Sequence, residues 1–348
     1  MGKINLFLIT LIAPFLGLFL ALYNFQNDSK DLKINIEEFQ SKVFNIEEEM
    51  IELEEHVLEF SKKASDQSKN YYSQNEKITG LTKQSESSKK LSDDVYEKKI
   101  LDMLGPPIGT HISNNNEIKV FKLQELGYRG YIAKVKLFNP KSLKVVLPSN
   151  SLGEKETTSN AAKRNKAIFA INAGGFYQTN KNGKSYTQLI GNTVINSKLV
   201  EPFNGYPGDL FFVGINQQGD LIGNVPKSEY DITKLNPLHG VSFIPILLKD
   251  GKKVSIPSKW AKSRQPRSII GSYANDDLIF IAIDGRNSNW SKGISLERLQ
   301  DKLLKLGVKN AYNLDGGGST AMYYNGVILN KPSDGKQRPV GNNIVILP

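Results

Sequence analysis

The sequence predicts an α+β protein: a globular domain of mixed β-sheet with few helices, preceded by an N-terminal transmembrane helix and a coiled-coil stalk. An apolar run occupies residues 4–25, a heptad pattern of apolar residues follows it, and short strand-like segments separated by turns fill the chain after residue 105. We therefore expect three parts, namely an anchor over residues 1–27, a stalk and spacer over residues 28–104, and a globular domain over residues 105–348.

The run Ile4–Phe25 has the length of a bilayer-spanning helix. Lys3 precedes it and polar residues follow it, so the positive-inside rule places the N-terminus in the cytoplasm and the C-terminal domain outside the cell. A cleaved signal peptide is the alternative, but no small-x-small cleavage site follows the run. We expect a signal-anchor that holds a single-pass protein in the cell membrane.

Apolar residues continue from Leu32 to Ala64 at alternating steps of four and three residues. This spacing is typical of a left-handed coiled coil, whose apolar seam packs against a partner helix. We therefore expect a homo-oligomer. Residues 63–90 are rich in Ser, Lys, Gln and Asn and predict a weak helix or flexible spacer before the boundary at Gly105-Pro106-Pro107.

Charge separates the stalk from the domain. Residues 28–104 hold 12 basic and 18 acidic side chains, whereas residues 105–348 hold 32 basic and 17 acidic side chains. A cationic domain outside a membrane attracts anionic polymers such as phosphate-bearing glycans or teichoic-type chains. Nucleic acid is not expected as a partner, because no zinc-finger spacing, RRM motif or basic helix occurs.

The residue inventory limits the chemistry. The chain has no cysteine, which excludes a thiolate nucleophile or metal site, and only three histidines. Carboxylates must therefore carry any acid–base work. We expect neither a metal site nor a cofactor, and the alternative is Ca²⁺ or Mg²⁺ held by two aspartates if more oxygen ligands converge on them.

Short strands dominate the predicted domain, because segments of strand composition lie between Gly, Asn, Pro and Asp turns. These segments are Glu117–Leu123, Tyr131–Phe138, Ala167–Asn172, Asp209–Ile215, Val241–Leu248, Arg267–Tyr273 and Leu278–Ile283. A helix is predicted over Ser295–Leu306, with Ser295 as the N-cap and Gly307 as the stop. The strands before and after this helix both end in Asp-Gly, so we expect parallel neighbours that bring Asp284 and Asp315 to one sheet edge.

Five motifs follow one another in the domain. They are Asn172-Ala173-Gly174-Gly175-Phe176, Pro266-Arg267-Ser268, Asp284-Gly285-Arg286, Asn313-Leu314-Asp315-Gly316-Gly317-Gly318-Ser319-Thr320 and Arg338-Pro339-Val340-Gly341-Asn342-Asn343. Their combination and order resemble the phosphodiester glycosidase family, which includes the animal "uncovering enzyme". The resemblance covers residues 105–348 and implies hydrolysis of sugar-1-phosphodiesters to a free sugar and a phosphomonoester.

Such a substrate carries a negative phosphodiester and develops positive charge on the sugar as the bond breaks. A planar guanidinium can grip two phosphate oxygens, so Arg267 and Arg338, followed by Arg286, are expected to bind the phosphate. Further substrate contacts are expected from Asn172, Gly174, Gly316, Gly317, Gly318, Ser319 and Thr320.

Three acidic residues are candidates for catalysis. Asp284 and Asp315 suit acid–base or nucleophilic roles, and their separation would distinguish a retaining from an inverting course. Glu297 is the third candidate, and its competing interpretation is a favourable charge at a helix N-terminus.

These observations predict a membrane-anchored extracellular hydrolase acting on sugar-1-phosphodiester linkages in a cell-surface glycan, a teichoic-type polymer or a glycolipid. The alternative is a non-catalytic factor that uses the same cleft to bind an anionic glycan or to assemble exopolysaccharide at the cell wall.

Overall fold

The computed structural model describes residues 6–25, 56–70, 93–205 and 210–348, together with residues 50, 53, 73, 74, 77, 87, 91 and 208. The chain divides into two compact units, Met1–Lys83 and Gln84–Pro348. The first half of the predicted heptad seam, from Leu32 to Ile46, lies outside the described residues.

The described part of the first unit is helical. The apolar run forms helix α1 (Leu6–Phe25), and residues 56–70 are also helical. The side chains of α1 are described from Ala13 to Tyr23, and over the described residues no helix reaches the length and apolar character that crossing a membrane requires. The seam residues Val57 and Phe60 are 61% and 77% exposed. The membrane anchor and the coiled coil stay predictions.

Strands make up most of the second unit. They are β1 (Gly109–Ile112), β2 (Asn116–Glu125), β3 (Tyr128–Leu137), β4 (Leu143–Val146), β5 (Phe169–Asn172), β6 (Phe176–Lys181), β7 (Lys184–Leu189), β8 (Val194–Ile195), β9 (Lys198–Leu199), β10 (Phe211–Asn216), β11 (Leu221–Asn224), β12 (Pro237–Phe243), β13 (Ile246–Lys249), β14 (Lys252–Lys253), β15 (Arg267–Ser272), β16 (Leu278–Ile283), β17 (Asn310–Leu314), β18 (Met322–Tyr324), β19 (Val327–Ile328) and β20 (Asn343–Ile346).

Helices are few and short in this unit, as expected of the α+β class. They are α2 (93–104), α3 (Thr158–Arg164), α4 (Glu229–Thr233), α5 (Ser258–Ala261) and α6 (Leu296–Lys305), with 3-10 turns at Pro140–Ser142, Pro148–Asn150 and Gly317–Ser319. The predicted caps of α6 are confirmed, because the Ser295 hydroxyl accepts from the Arg298 N–H and Gly307 adopts a φ of +80°.

Three sheets and a hairpin form the unit. An eight-stranded sheet has the order β1-β2-β3-β16-β15-β17-β13-β14, two five-stranded sheets have the orders β11-β10-β12-β8-β9 and β19-β18-β5-β20-β4, and β6 pairs with β7. The strand pairs described within these sheets are antiparallel.

The eight-stranded sheet is buried on both faces. In β16, Leu278, Phe280 and Ala282 enter the core shared with the two five-stranded sheets, whereas the alternate residues Ile279 and Ile281 pack with α2 and α6. A strand buried on both faces is apolar throughout, which is why the sequence identified β16 so clearly.

Helix α2 lies before residue 105 and nevertheless belongs to the second unit. Ile100 is fully buried in the core, and the Tyr96 and Tyr273 rings lie 5.0 Å apart. Asp93 forms an ion pair with Lys136 of β3. The compact unit thus begins earlier than the expected domain boundary, because the domain uses both apolar and charged side chains of this helix.

Two predictions about strands are wrong in detail. The segment Val241–Leu248 is divided between β12 and β13, which lie in different sheets, because Pro245 has no N–H to continue a ladder. Strands β16 and β17 are not neighbours, since β15 lies between them and pairs antiparallel with both. They still run in the same direction, so Asp284 and Asp315 emerge at one edge, on either side of Arg267.

Candidate functional site

A pocket of about 320 Å³ lies at this sheet edge, and we call it the central pocket. It brings together four of the predicted site residues, Arg267, Arg286, Asp315 and Arg338, and the glycine run, together with side chains that the sequence did not single out. Its lining is Phe243, Gln265, Arg267, Arg286, Asn313, Asp315, Gly316, Gly317, Gly318 and Arg338.

Two guanidinium groups dominate the charge of the central pocket. Arg267 donates only to the backbone carbonyls of Ser263 (2.8 Å) and Ile294 (3.4 Å), and Arg286 donates from Nε to Gln265 Oε1 at 2.8 Å. Burial, together with the charge of Arg286, lowers the pKa of Arg267 to about 10. Neither arginine forms an ion pair with a carboxylate of the described residues. Two neighbouring cations therefore line the pocket, and neither is ion-paired with a carboxylate of the described residues.

Arg338 is the third arginine of the pocket, and its partner is Asp334, a residue that the sequence did not identify. Arg338 donates to Asp334 Oδ2 from Nη2 (2.7 Å) and Nε (3.1 Å). The pKa of Asp334 is lowered chiefly by Arg338 and further by Arg286. Both side chains of the pair are more than one-third exposed, so an incoming anion can replace the carboxylate at low cost.

The glycine run makes room for these arginines. A Cβ at Gly317 would lie 2.9 Å from Arg286 Nη2, and a Cβ at Gly318 would lie 2.1 Å from Arg338 Nη2. Gly317 also has a φ of +59°, which favours glycine. The Gly317 N–H donates to the Pro266 carbonyl, so this group joins the glycine run to the segment before β15. The run contributes space for side-chain cations, and the substrate contacts expected of these glycines stay predictions.

Asp315 is the carboxylate of the central pocket. Burial raises its pKa to about 6, and the nearby Ser319 hydroxyl, the Arg338 charge and the Gly316 N–H only partly offset this rise. A carboxyl group with a pKa close to neutral can exchange a proton at physiological pH, which general acid–base catalysis requires.

Asp284 lies at the same edge but does not face the central pocket. Its side chain is 2% exposed. Oδ2 accepts from Trp290 Nε1 (2.8 Å), and Oδ1 accepts from Asn330 Nδ2 (3.1 Å) and the Lys331 N–H (2.9 Å). Burial raises its pKa despite these donors. Asp284 therefore positions the loops around it, and the structure does not support its predicted contact with substrate.

Asn172 and Gly174 are also structural. Asn172 is fully buried, donates to the Asp315 carbonyl, and accepts from Ser268 Oγ (2.7 Å) and the Ala321 N–H (3.1 Å). Gly174 donates its N–H to Asn342 Oδ1 at 2.7 Å, in a position where a Cβ would approach Val241. Asn172 thus fixes the loop that carries Asp315, and the expected direct contacts with a sugar are not possible for a fully buried amide.

Three further expected site residues lie away from the pocket lining. Ser319 and Thr320 are each 1% exposed, so their side chains face the interior. Glu297 is exposed in the first turn of α6 and lines none of the cavities described here. Its position fits the favourable interaction of an acidic side chain with a helix N-terminus, and the structure does not support a catalytic role.

A second hollow, the Trp260 cavity, adjoins the central pocket and has a volume of about 210 Å³. The two share Phe243, Gln265, Arg267 and Asn313, and Trp260 and Leu296 line the far side. Asn313 is 3% exposed, donates Nδ2 to the Ile244 carbonyl at 2.8 Å, and leaves Oδ1 without a protein partner in the described residues. The aromatic wall of this cavity suits a sugar ring.

A third hollow, the Trp290 cavity, lies on the other side of Arg286 and has a volume of about 540 Å³. Its lining consists of Gly285, Arg286, Asn287, Trp290, Ile328, Asn330, Lys331, Pro332, Ser333, Gly335, Lys336 and Gln337. Arg286 is the residue that this lining shares with the central pocket. Trp290 follows Arg286 by four residues and Trp260 precedes Pro266 by six, but no spacing pattern signalled either tryptophan.

Within the residues that the structure describes, no group of three or more His, Asp or Glu side chains is placed to hold a metal ion.

Comparison with known proteins supports a family assignment. The sequence profile of the phosphodiester glycosidase family matches residues 165–347, just over half of the chain. The SPbeta prophage-derived uncharacterized protein YomE of Bacillus subtilis (strain 168) is 28% identical over 200 residues, covering 55% of this chain and 30% of YomE. The human N-acetylglucosamine-1-phosphodiester alpha-N-acetylglucosaminidase is 28% identical over 177 residues, covering 46% of this chain and 33% of the human protein.

Among solved structures, the catalytic domain of zebrafish N-acetylglucosamine-1-phosphodiester alpha-N-acetylglucosaminidase, auto-inhibited by its pro-peptide, shares the fold. The TM-score is 0.55 at 24% identity, over 70% of this chain and 87% of the zebrafish chain. The chain spans about a third of the length of the curated relatives named above. The profile match extends over the strands and loops that carry Asn172, Arg267, Asp284, Asp315 and Arg338, and the chain belongs to the phosphodiester glycosidase family.

Proposed function

We propose that this protein hydrolyses sugar-1-phosphodiesters by cutting the bond between the anomeric carbon and the phosphate oxygen. The oxygen of water joins the sugar, one proton of water is released, and the phosphate leaves with the bonding electron pair as a phosphomonoester. The family assignment and the charge of the central pocket support this reaction.

One observation carries the proposal. The same pocket contains two arginines that form no ion pair within the part of the chain that the structure describes, and a carboxylate whose pKa is raised. Arg267 and Arg286 have no carboxylate counter-ion among the described residues, and Asp315 lies in the same lining with a pKa of about 6. A phosphodiester supplies the missing negative charge, and the charge that grows on the leaving phosphate strengthens both contacts as the bond breaks.

Asp315 acts as the general base in this proposal. Above pH 6 it is mostly ionised and can take a proton from the attacking water. Asp284 is not assigned as the second carboxylate, because it is 2% exposed and accepts from Trp290, Asn330 and the Lys331 N–H. Phosphate is a good leaving group that needs little protonation, so one carboxylate suffices. Attack by water through a base inverts the anomeric configuration, whereas attack by Asp315 itself would retain it.

The sugar occupies the Trp260 cavity in this arrangement. The cavity shares Arg267 and Asn313 with the central pocket, so a sugar there would have its anomeric carbon next to the phosphate site. Phe243 and Trp260 offer apolar surface to the ring.

Turnover of a synthetic sugar-1-phosphodiester by the full chain tests the proposal. We expect a free sugar and a phosphomonoester as products, with loss of turnover in Asp315→Asn while the circular dichroism spectrum is unchanged. Binding of the diester without turnover in the wild type would instead identify a binding or exopolysaccharide-assembly factor. Proton NMR of the first sugar released gives the anomeric course, for which we expect inversion.

We further propose that the apolar N-terminal segment anchors the domain in the cell membrane, with the domain outside. The apolar composition of residues 4–25 and the position of Lys3 support this arrangement. In that location the substrate would be a surface glycan, a teichoic-type polymer or a glycolipid. Fractionation of the full chain and of a chain without residues 1–27 tests the anchor, and protection of the domain from protease added outside intact cells would contradict the orientation.

We also propose that the heptad segment assembles copies of the chain. Met50, Leu53, Val57 and Phe60 follow the heptad spacing and are more than half exposed, as an unpartnered seam would be. Light scattering of the full chain in detergent should give an oligomer. A monomer at high concentration would exclude the stalk as an assembly element.

A further inference from the structure

We propose that the Trp290 cavity binds a second phosphate group of the substrate, so that the preferred substrate is a chain of sugar units joined by successive phosphodiesters. This inference rests on the proposed function of the central pocket and extends it to the class of substrate. Three features of the cavity carry it.

The first feature is the charge of the lining. Arg286, Lys331 and Lys336 line the cavity, and its lining contains no aspartate or glutamate. Neither lysine forms an ion pair with the described residues. The acidic side chains next to this lining are Asp334, which pairs with Arg338, and the buried Asp284, which accepts from Trp290, Asn330 and the Lys331 N–H. The three cations of the lining outnumber these carboxylates, and the excess of positive charge favours an anionic ligand.

The second feature is the rigid placement of Lys331. The ammonium group of Lys331 lies 3.7 Å from the centroid of the Trp290 ring. The backbone N–H of Lys331 donates to Asp284 Oδ1 at 2.9 Å. Trp290 itself is held by the bond from Nε1 to Asp284 Oδ2. The buried Asp284 thus fixes both the ring and the lysine backbone, which gives this carboxylate a positioning role. A cation held in advance loses less entropy when it binds an anion.

The third feature is that Trp290 is not available as a stacking surface for a sugar. The Arg129 guanidinium lies 4.3 Å from the ring centroid, in addition to Lys331 at 3.7 Å. The Trp290 ring therefore packs against two cations, whereas the lining of the Trp260 cavity is more apolar. The unoccupied groups that the Trp290 cavity offers a ligand are its ammonium and guanidinium groups, which favour phosphate over an uncharged sugar.

The order of the three hollows gives the direction of the substrate. The Trp260 cavity shares four residues with the central pocket, and the central pocket shares Arg286 with the Trp290 cavity. In this order, the terminal sugar occupies the Trp260 cavity and the scissile phosphate occupies the central pocket. The next phosphate along the substrate occupies the Trp290 cavity. The enzyme would then release the terminal sugar of an anionic polymer and leave a phosphomonoester on the next unit.

Two synthetic substrates test the inference, one with a single sugar-1-phosphodiester and one with two successive units. We expect the full chain to cleave the two-phosphate substrate with a kcat/KM about tenfold higher, mainly through a lower KM, as one charge-assisted contact provides. The double variant Lys331→Ala/Lys336→Ala should lose this preference and keep its activity on the single diester. The control Lys184→Ala/Lys198→Ala removes the same charge from exposed positions outside the three cavities and should keep the preference.

Equal kcat/KM values for both substrates in the wild type would overturn the inference and leave the proposed function intact. An equal loss of preference in the control would also overturn it, because general charge would then explain the effect. If neither substrate is cleaved, the proposed function fails, and calorimetry decides the second site separately. Tighter binding of the two-phosphate compound that Lys331→Ala/Lys336→Ala abolishes would sustain the site, and equal binding of both compounds would overturn it.

Discussion

Replacing Asp315 by asparagine should stabilise the protein while abolishing its activity. The carboxyl group is buried beside the glycine run, and its pKa rises from an ordinary value of 3.8 to about 6. Between these values the folded protein holds a proton that the unfolded chain has lost. Stability therefore falls as the pH rises through this window, and the full cost of the buried charge is present at pH 7.

The magnitude follows from the change in pKa. At 1.36 kcal/mol per pKa unit, the rise from 3.8 to about 6 corresponds to about 3 kcal/mol at neutral pH. Asparagine is neutral at every pH and avoids this cost, but it gives up the charge-assisted contact with the Gly316 N–H. We therefore expect a gain of about 1–3 kcal/mol in the free energy of unfolding at pH 7, shrinking to under about 1 kcal/mol at pH 4. Loss of the general base should lower kcat by about 10²- to 10⁴-fold.

Urea unfolding of both proteins at pH 7 and pH 4, followed by tryptophan fluorescence, measures the change in stability. Asp301→Asn is the matched control, because it removes the same charge from an exposed residue that pairs with Lys253, and it should change stability by less than about 1 kcal/mol. A lower free energy of unfolding for Asp315→Asn at pH 7, or an equal effect at both pH values, would refute the reasoning. Full activity of the variant would refute the catalytic role.

Three further predictions concern the same site. The value of kcat/KM should rise with pH through about 6 as Asp315 loses its proton, and a flat profile between pH 5 and pH 7 would exclude it as the base. Arg267→Ala should lower kcat/KM about 10- to 100-fold with an unchanged circular dichroism spectrum, whereas an unaltered kcat/KM would remove this arginine from the phosphate site. Asn172→Ala should lower the free energy of unfolding by about 3 kcal/mol, since three buried partners lose their bonds, and urea unfolding that matches the wild type would contradict its structural role.

The sequence predicted the elements with the strongest local signals. Strand β16 is apolar throughout because both faces are buried, and α6 has a Ser295 cap and a Gly307 stop. The neighbour of β16 was predicted wrongly, because the position of β15 between β16 and β17 depends on pairing between segments distant in sequence. Their common direction was nevertheless enough to place Asp284 and Asp315 at one edge.

The sequence predicted the candidate site less completely than the fold. Residue type indicated that Asp284, Asp315 and Asn172 were special, but it could not show which side chains face the pocket. That distinction depends on hydrogen bonds to Trp290, Asn330 and Ser268, none of which lies within five residues of its partner. The partner of Arg338 is closer in the sequence, because Asp334 lies four residues before it. The i, i+4 spacing could therefore have identified this pair.

Hydrolysis of a sugar-1-phosphodiester in H₂¹⁸O tests the proposed chemistry most directly. If the full chain is a glycosidase, water attacks the anomeric carbon, so mass spectrometry of the products should find ¹⁸O in the free sugar and none in the phosphomonoester. Label in the phosphomonoester would mean attack at phosphorus and would contradict the proposed reaction.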